Sequence, residues 1–324
     1  MRICVYGAGA IGGNLASHLI RQVDAEVSVV ARGAHLAAIS RHGLVLRGDD
    51  GVSVAVPAFA TDEPTTLGEQ DVVFVTAKAH SVPSAARDIG RLLDPSGVAV
   101  FINNGIPWWW NYRGGHVGEE ALQLLDPEGL LWSEVRPDRV IGGVVYSSNE
   151  VIEPGVIRHY GMNRWILGEP VGGSSARLGE VAGMMSAAGL GAITTRHVRT
   201  DIWEKLLLNL TSAPLATLTR LYSSDLRADP ALHRLQERVF AECAAIPAAM
   251  HIPMSIRYED TPVPPLQTRP SMLQDVLAGR PIEVEAMLGQ PQQFARELGV
   301  ATPVLDVLVP LLRGLDRAVR RGLG

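Results

Sequence analysis

The first twenty residues, MRICVYGAGAIGGNLASHLI, restrict the fold more than any other stretch of this chain. Ile3-Cys4-Val5-Tyr6 is a short, apolar, β-prone run of the kind that forms a buried strand. Gly7, Gly9 and Gly12 follow as G-x-G-x-x-G, and Ile11, Leu15 and Leu19 then recur at helical spacing. With 33 glycines in the chain such a pattern arises by chance, so its place between a strand and a helix decides its meaning. In a strand–turn–helix the first glycine makes the tight turn and the second lets the backbone approach a pyrophosphate. The third lets helix and strand pack closely, with the helix N-terminus facing the anion. The stretch Gly7, Ala8, Gly9, Ala10, Ile11, Gly12 is therefore expected to bind a dinucleotide.

The same alternation continues through the first half. Strands are expected at 27–31, 72–76 and 98–102, and helices at 34–42 and 85–93. A β-hairpin is expected over 44–59 around Gly48-Asp49-Asp50-Gly51, with further strands at 140–146, 155–159 and 165–167. This βαβ rhythm implies an α/β domain with a mainly parallel, doubly wound sheet. From about His197 helical patterns dominate, at 201–210, 231–250, 272–277, 283–298 and 304–320. The proline-rich TPVPPLQTRP is a loop between two of them, and Pro291 should kink or restart its helix. The chain accordingly divides into an α/β domain at 1–196 and an all-helical domain at 197–324.

Composition narrows the function classes. Apolar residues make up 47% of 324 positions and charged residues 19%, as in a folded, water-soluble protein. A net charge of −5 gives no reason to expect nucleic acid. Arg313, Arg317, Arg320 and Arg321 are spaced as the solvated face of a last helix. Cys4 and Cys243 fall in core segments, with no disulfide framework or cysteine metal site. His80, His159 and His197 lack metal-ligand spacing, so no metal is expected. No apolar run is long enough to cross a membrane, and no charged-then-apolar leader precedes the first strand. The reducing cytoplasm is the simplest location.

In open α/β sheets ligands bind at the carboxyl ends of the strands. Four expected strands end in useful residues: the glycine turn, Ala31-Arg32, Thr76-Ala77-Lys78 and Asn103-Asn104-Gly105. An NAD-binding chain usually has an acidic residue at the end of the second strand, to bind the ribose 2′-hydroxyl. Arg32 stands there instead, and a guanidinium suits a 2′-phosphate, so NADPH is favoured. In DIWEKLLLNLTSAP, Asp201, Lys205 and Asn209 repeat every four residues and share one helix face. Two readings stand side by side: a surface Asp201–Lys205 ion pair, or a lysine aimed into a cleft to bind a carboxylate or protonate a carbonyl oxygen. In RPSMLQDVLAGRPIEVE, Ser271 and Gln274 have capping-box form, and Glu283 suits a first-turn helix acid.

Taken together, these stretches resemble the ketopantoate reductase (2-dehydropantoate 2-reductase) family. The likeness runs through YGAGAIGG, VTAKAHSV, NNGIP, IGGVVYSSNEVIEPGVIRH, WEKLLLNLTSAPLATLT and SMLQDVLAGRPIEVE. It implies an N-terminal Rossmann domain, a C-terminal helical domain like that of 6-phosphogluconate dehydrogenase, and an active-site cleft between them. Gly7, Gly9 and Gly12 would hold the pyrophosphate and Arg32 the 2′-phosphate of NADPH. Lys78, Asn104 and Ser148 would contact cofactor, with Asn104 also near substrate. Lys205 would be the catalytic proton donor, Asn209 and Ser271 would bind substrate, and Glu283 would be an acid near both cofactor and lysine.

Three features depart from the family pattern. Ala213 stands where a second asparagine is common, and Thr268 where some members have another. The segment PWWWNYRGGHVGEEALQLLDPEGLLWSEV is long, which is expected to bring Trp108, Trp109 and Trp110 close to the cleft. The expected activity is NADPH-dependent reduction of a 2-oxo acid, with 2-dehydropantoate going to D-pantoate in pantothenate synthesis. A more apolar oxo acid, or a non-catalytic NADPH-binding regulator, are the rival readings. The partner implied is the small-molecule substrate, with neither nucleic acid nor membrane, and assembly as a homodimer stays open.

Overall fold

A computed structural model describes residues 1–49, 51–114, 118–261 and 267–323. The hairpin residue Asp50, residues 115–117 of the tryptophan-rich segment and 262–266 of the proline-rich loop lie outside the described residues. The chain forms two units, Met1–Asn103 with Pro107–Val198, and Asn104–Ile106 with Arg199–Gly324.

In the first unit β1 (Arg2–Tyr6), α1 (Ala10–Gln22), β2 (Glu26–Val30) and α2 (Gly33–His42) open the chain. Next come β3 (Leu44–Gly48), β4 (Gly51–Ala55), β5 (Phe59–Thr61), β6 (Gln70–Val75), α3 (Ala86–Leu92) and β7 (Leu93–Phe101). The unit closes with β8 (Val140–Glu153), β9 (Val156–Gly168), α4 (Ala176–Ala187) and β10 (Gly191–Thr195). Among the described residues all ten strands join one sheet in the order β4-β3-β9-β8-β7-β6-β1-β2-β5, with β10 paired to β9. The stretch from β8 to β5 is parallel throughout. Side chains alternate across it as a strand requires. Ile3, Val5, Val27, Val29, Val72 and Phe74 face a core shared with α1 and α4, which leaves Cys4 and Val73, also fully buried, to the opposite face.

Several boundaries differ from expectation. The 44–59 hairpin ends at Ala55, and Phe59–Thr61 leaves it to lie parallel beside β2. The strands expected at 155–159 and 165–167 are one continuous β9, and β8 runs on to Glu153 as its antiparallel partner. The polar residues 148–150 and 158–160 hid that pairing because this arm is solvent-facing. Helix α4 and strand β10 were not anticipated. Trp108, Trp109 and Trp110 are core residues and line no open surface. Each is at most 4% exposed, Trp108 packs edge-on to Phe101 at 5.4 Å, and the Trp109 ring fills the space over Gly142.

The second unit is helical: α5 (Val198–Leu210, its first residue belonging to the other unit), α6 (Ala213–Thr219), α7 (Ser223–Ala228), α8 (Pro230–Ala249) and α9 (Ser271–Leu277). A wide, π-helical turn at Glu285–Gly289 then leads into α10 (Gln290–Glu297), and α11 (Leu305–Arg320) follows. No restart occurs at Pro291: the helical run is unbroken from Val284 to Glu297, and the proline's missing N–H is accommodated by the wide turn just before it. The short helices α6 and α7 were not anticipated. Cys243 is fully buried in α8. Among the described residues no helix is long and apolar enough to cross a membrane.

Candidate active site

The glycine turn is held by backbone geometry. Gly7 sits at φ +105°, and a Cβ there would come within 2.6 Å of the Ala77 backbone nitrogen. The N–H groups of Gly7 and Ala8 both donate to the Val30 carbonyl at 3.0 Å, while Thr76 Oγ1 donates to the Gly7 carbonyl at 2.8 Å. A Cβ on Gly12 would collide with that same carbonyl and with Thr76 Oγ1, so α1 packs against the turn only with glycine there. A Cβ on Gly9 would meet nothing within 4 Å. Gly9 caps α1, no side chain caps that end, and no acid lies in the first turn. Space beside Gly9 and uncapped N–H groups fit a dinucleotide phosphate.

The strand ends come together as parallel pairing demands. Tyr6 lies opposite Val30 and Val75, and Val75 opposite Phe101, which aligns the carboxyl ends of β2, β1, β6 and β7. Arg32 follows β2 and is exposed. Its charge reaches Tyr6, whose hydroxyl burial pushes up to about 12 while Arg32 acts in the opposite sense. Lys78 follows β6 half-buried, and Asn103 Nδ2 donates to the Ala77 carbonyl at 2.5 Å, tying the ends of β7 and β6. Ser148 stands apart from this row, exposed on the β8–β9 arm opposite Tyr160.

One residue of this site carries no sequence signal. His35 in α2 hydrogen-bonds the Ala8 carbonyl through Nε2 at 2.6 Å, while the Gly155 N–H donates to its Nδ1 at 2.9 Å. Because Nδ1 accepts, the ring hydrogen is on Nε2, and the imidazole bridges the glycine turn and the β8–β9 turn.

In the second unit Lys205 Nζ donates to Asn104 Oδ1 at 2.9 Å, although 101 positions separate them. Asp201, Lys205 and Asn209 share a half-buried face of α5, between the buried Trp203, Leu206, Leu207 and Leu210. Lys205 keeps some solvent-facing surface, yet burial dominates and pushes its ammonium down to about 8, against the opposing pull of the Glu283 carboxylate. Glu283 is itself buried, just before the wide turn. Ser271 begins α9 and is exposed. The capping box does not form, because Pro270 holds the cap position and Gln274 Nε2 instead donates to the Arg269 carbonyl. Ala213 is buried at the start of α6, so a larger amide would need packed neighbours to move. The Thr268 carbonyl accepts from the Ser223 N–H. Arg313 is only partly solvated. It forms a two-pronged ion pair with Glu285, at 2.8 and 2.6 Å, because these charges meet across the α11–wide-turn packing.

Residues 3–172 match the family described as ketopantoate reductase PanE/ApbA, and residues 197–316 match that family's C-terminal part. A 2-dehydropantoate 2-reductase from Mesorhizobium japonicum is 38% identical over 99% of both chains. The chain belongs to the ketopantoate reductase family. That family is one of NAD(P)-dependent oxidoreductases. Its fold is shared with a Ralstonia solanacearum protein given a provisional ketopantoate reductase assignment, at TM-score 0.92, 36% identity and coverage of 100% of this chain and 99% of that one. A 2-dehydropantoate 2-reductase from Methylococcus capsulatus superposes at TM-score 0.80, with 26% identity over 98% of each chain. Among the described residues no group of three metal-ligating side chains exists.

Proposed function

We propose that this ketopantoate reductase family member reduces 2-dehydropantoate to D-pantoate with NADPH, in a reducing cytoplasm. The observation that carries the reading is Lys205 Nζ bonded to Asn104 Oδ1, within reach of the charge of the buried Glu283. When bound, NADPH supplies the hydride. Gly7, Ala8, Gly9, Ala10, Ile11 and Gly12 would cradle its pyrophosphate, with the uncapped N–H groups at the start of α1 facing it, Arg32 would hold its 2′-phosphate, and Lys78, Asn104 and Ser148 would contact it further. Lys205 Nζ holds the proton that the developing alkoxide needs, and Glu283 keeps that nitrogen charged. Asn104, Asn209 and Ser271 orient the oxo acid by hydrogen bonds.

Steady-state NADPH oxidation across a panel of 2-oxo acids tests the reading, with 2-dehydropantoate expected to have the highest kcat/KM. Better turnover of a bulkier apolar acid would overturn the substrate assignment. Burial of the three tryptophans has removed the aromatic wall that spoke for such a substrate. Cofactor binding without turnover of any oxo acid would mark a regulator.

A further inference from the structure

Asn104 is not fixed by its own strand. It belongs with the second unit, and the residue after it, Gly105, lies at φ +83° with the Ala286 carbonyl so close that a Cβ would collide with it. Ile106 N–H then donates to that same carbonyl at 2.8 Å. A carbonyl inside a helix normally accepts from the helix itself. In the wide turn, however, the Gln290 N–H is taken by the Glu285 carbonyl. The next residue is Pro291, which has no N–H to give. Ala286 therefore has no donor in its own helix at either the four- or five-residue spacing, and its oxygen is left for Ile106.

Helix α11 holds this turn from behind at two points. Arg313 grips Glu285 with both prongs, and Gly289 leaves room for the Glu285 carboxylate, which a Cβ there would strike. One turn on, Asp316 Oδ1 accepts from the Ile282 N–H at 2.8 Å. Ile282 and Glu285 flank Glu283, so the two α11 contacts bracket a carboxylate whose charge acts on Lys205.

We propose that the wide turn Glu285–Gly289, opened by Pro291 and clamped by Arg313 and Asp316 of α11, is the device that places Asn104 and Glu283 on Lys205. Ala286, Pro291, Arg313 and Asp316 are positioning residues, acting on the reacting proton only through those two side chains. The assignment rests on the reading of Lys205 as proton donor. It goes beyond that reading by giving the lysine's alignment a mechanical origin some hundred residues away in sequence.

Three variants test it. Pro291→Ala restores an N–H that a regular helix can use, so it leaves a folded protein while drawing the Ala286 carbonyl away from Ile106. Arg313→Met removes the clamp, and Arg313→Lys keeps its charge with a weaker grip. Each of the first two is expected to lower kcat on the order of ten- to a hundredfold, the scale of a misplaced catalytic group. Both should move the alkaline limb of the kcat profile to lower pH, since Lys205 loses an acceptor and the nearby Glu283 charge while its desolvation stays. Arg313→Lys should recover part of both effects. Variants with wild-type kcat and an unmoved limb, or with lowered melting temperature and an unmoved limb, would overturn the proposal. A Lys205→Ala enzyme is measured alongside. If it still turns over, the proton-donor reading falls and the proposal with it; if it is dead beside normal Pro291→Ala and Arg313→Met enzymes, the proposal alone falls.

Discussion

The glycine turn of the first unit and the lysine cluster of the second are built in opposite ways. The turn is backbone. Carbonyls, N–H groups and missing Cβ atoms within residues 6–12 do most of the work, with Val30 and Thr76 bracing it from neighbouring strands. The lysine cluster is side chain, and residues 104, 205 and 283 reach it from three separate segments. A local backbone device is most sensitive at its own glycines. A dispersed side-chain device can be damaged from far away, by any residue that aims one of its members.

The sharpest way to break this contrast is at the lysine. Lys205→Ala should lower kcat by roughly 10²–10⁴-fold, the usual contribution of a general acid. The fold should not suffer. Burial lowers the lysine's pKa, so the charged form costs stability below about pH 8, and removing it lifts that cost. A melting temperature unchanged or raised, with turnover gone, separates catalysis from structure. Near-normal kcat would return Lys205 to a surface ion-pair role.

The same pKa gives two opposite pH profiles. Reduction needs Lys205 protonated, so kcat should be level below about pH 8 and fall roughly tenfold per unit above it. Oxidation of the hydroxy acid needs the neutral amine to accept the proton, and should rise through the same pH. Two limbs bending in the same direction would show that another group controls the proton.

At the glycine turn the effects are smaller and separate binding from folding. Gly9→Ala meets nothing in the protein, so melting should hold while the Kd for NADPH rises, because the new methyl occupies space the phosphates need. Gly12→Ala should destabilise the protein outright, by about 1–3 kcal/mol, through its clash with the Gly7 carbonyl and Thr76. Arg32→Ala should weaken NADPH by roughly ten- to a hundredfold and leave NADH nearly unchanged, as expected for loss of a charge-assisted contact. Equal use of both cofactors by the unaltered protein would remove Arg32 from that role.

These differences explain what could be read from the chain itself. The β1–turn–α1 unit was legible because strand period, glycine spacing and helix period are all local. The Lys205 helix was legible as a helix, but its spacing suits an ion pair and a proton donor alike, and the proton-donor reading came from the likeness to a family. Arg313 was read only in part, because its spacing shows a half-exposed helix face and not the partner 28 positions away. The tryptophans were misread for a related reason. A long aromatic insertion fits a ligand wall as well as a core, and only the edge-on packing on Phe101 and the fit over Gly142 decide for the core. The β8–β9 arm escaped because its residues are half polar, and strand periodicity fades where neither face is buried.

The smallest expected effect belongs to the residue with no sequence signal. His35 joins two turns of the first unit, giving one hydrogen bond to the Ala8 carbonyl and taking one from the Gly155 N–H. The ring is half-buried, so each bond is worth about 0.5–1.5 kcal/mol net, and water can partly replace both. His35→Ala should therefore loosen the glycine turn without unfolding it, and raise the Kd for NADPH by about three- to tenfold. The alkaline limb set by Lys205 should stay where it is, because both hydrogen bonds of this imidazole go to turns of the first unit. His35→Gln, which can still donate to the Ala8 carbonyl, should recover some of the affinity. If His35→Ala instead binds NADPH as the unaltered chain does, Val30 and Thr76 suffice to fix the turn. If it moves the pH limb, the two devices are coupled, and the contrast between a local and a dispersed site breaks down.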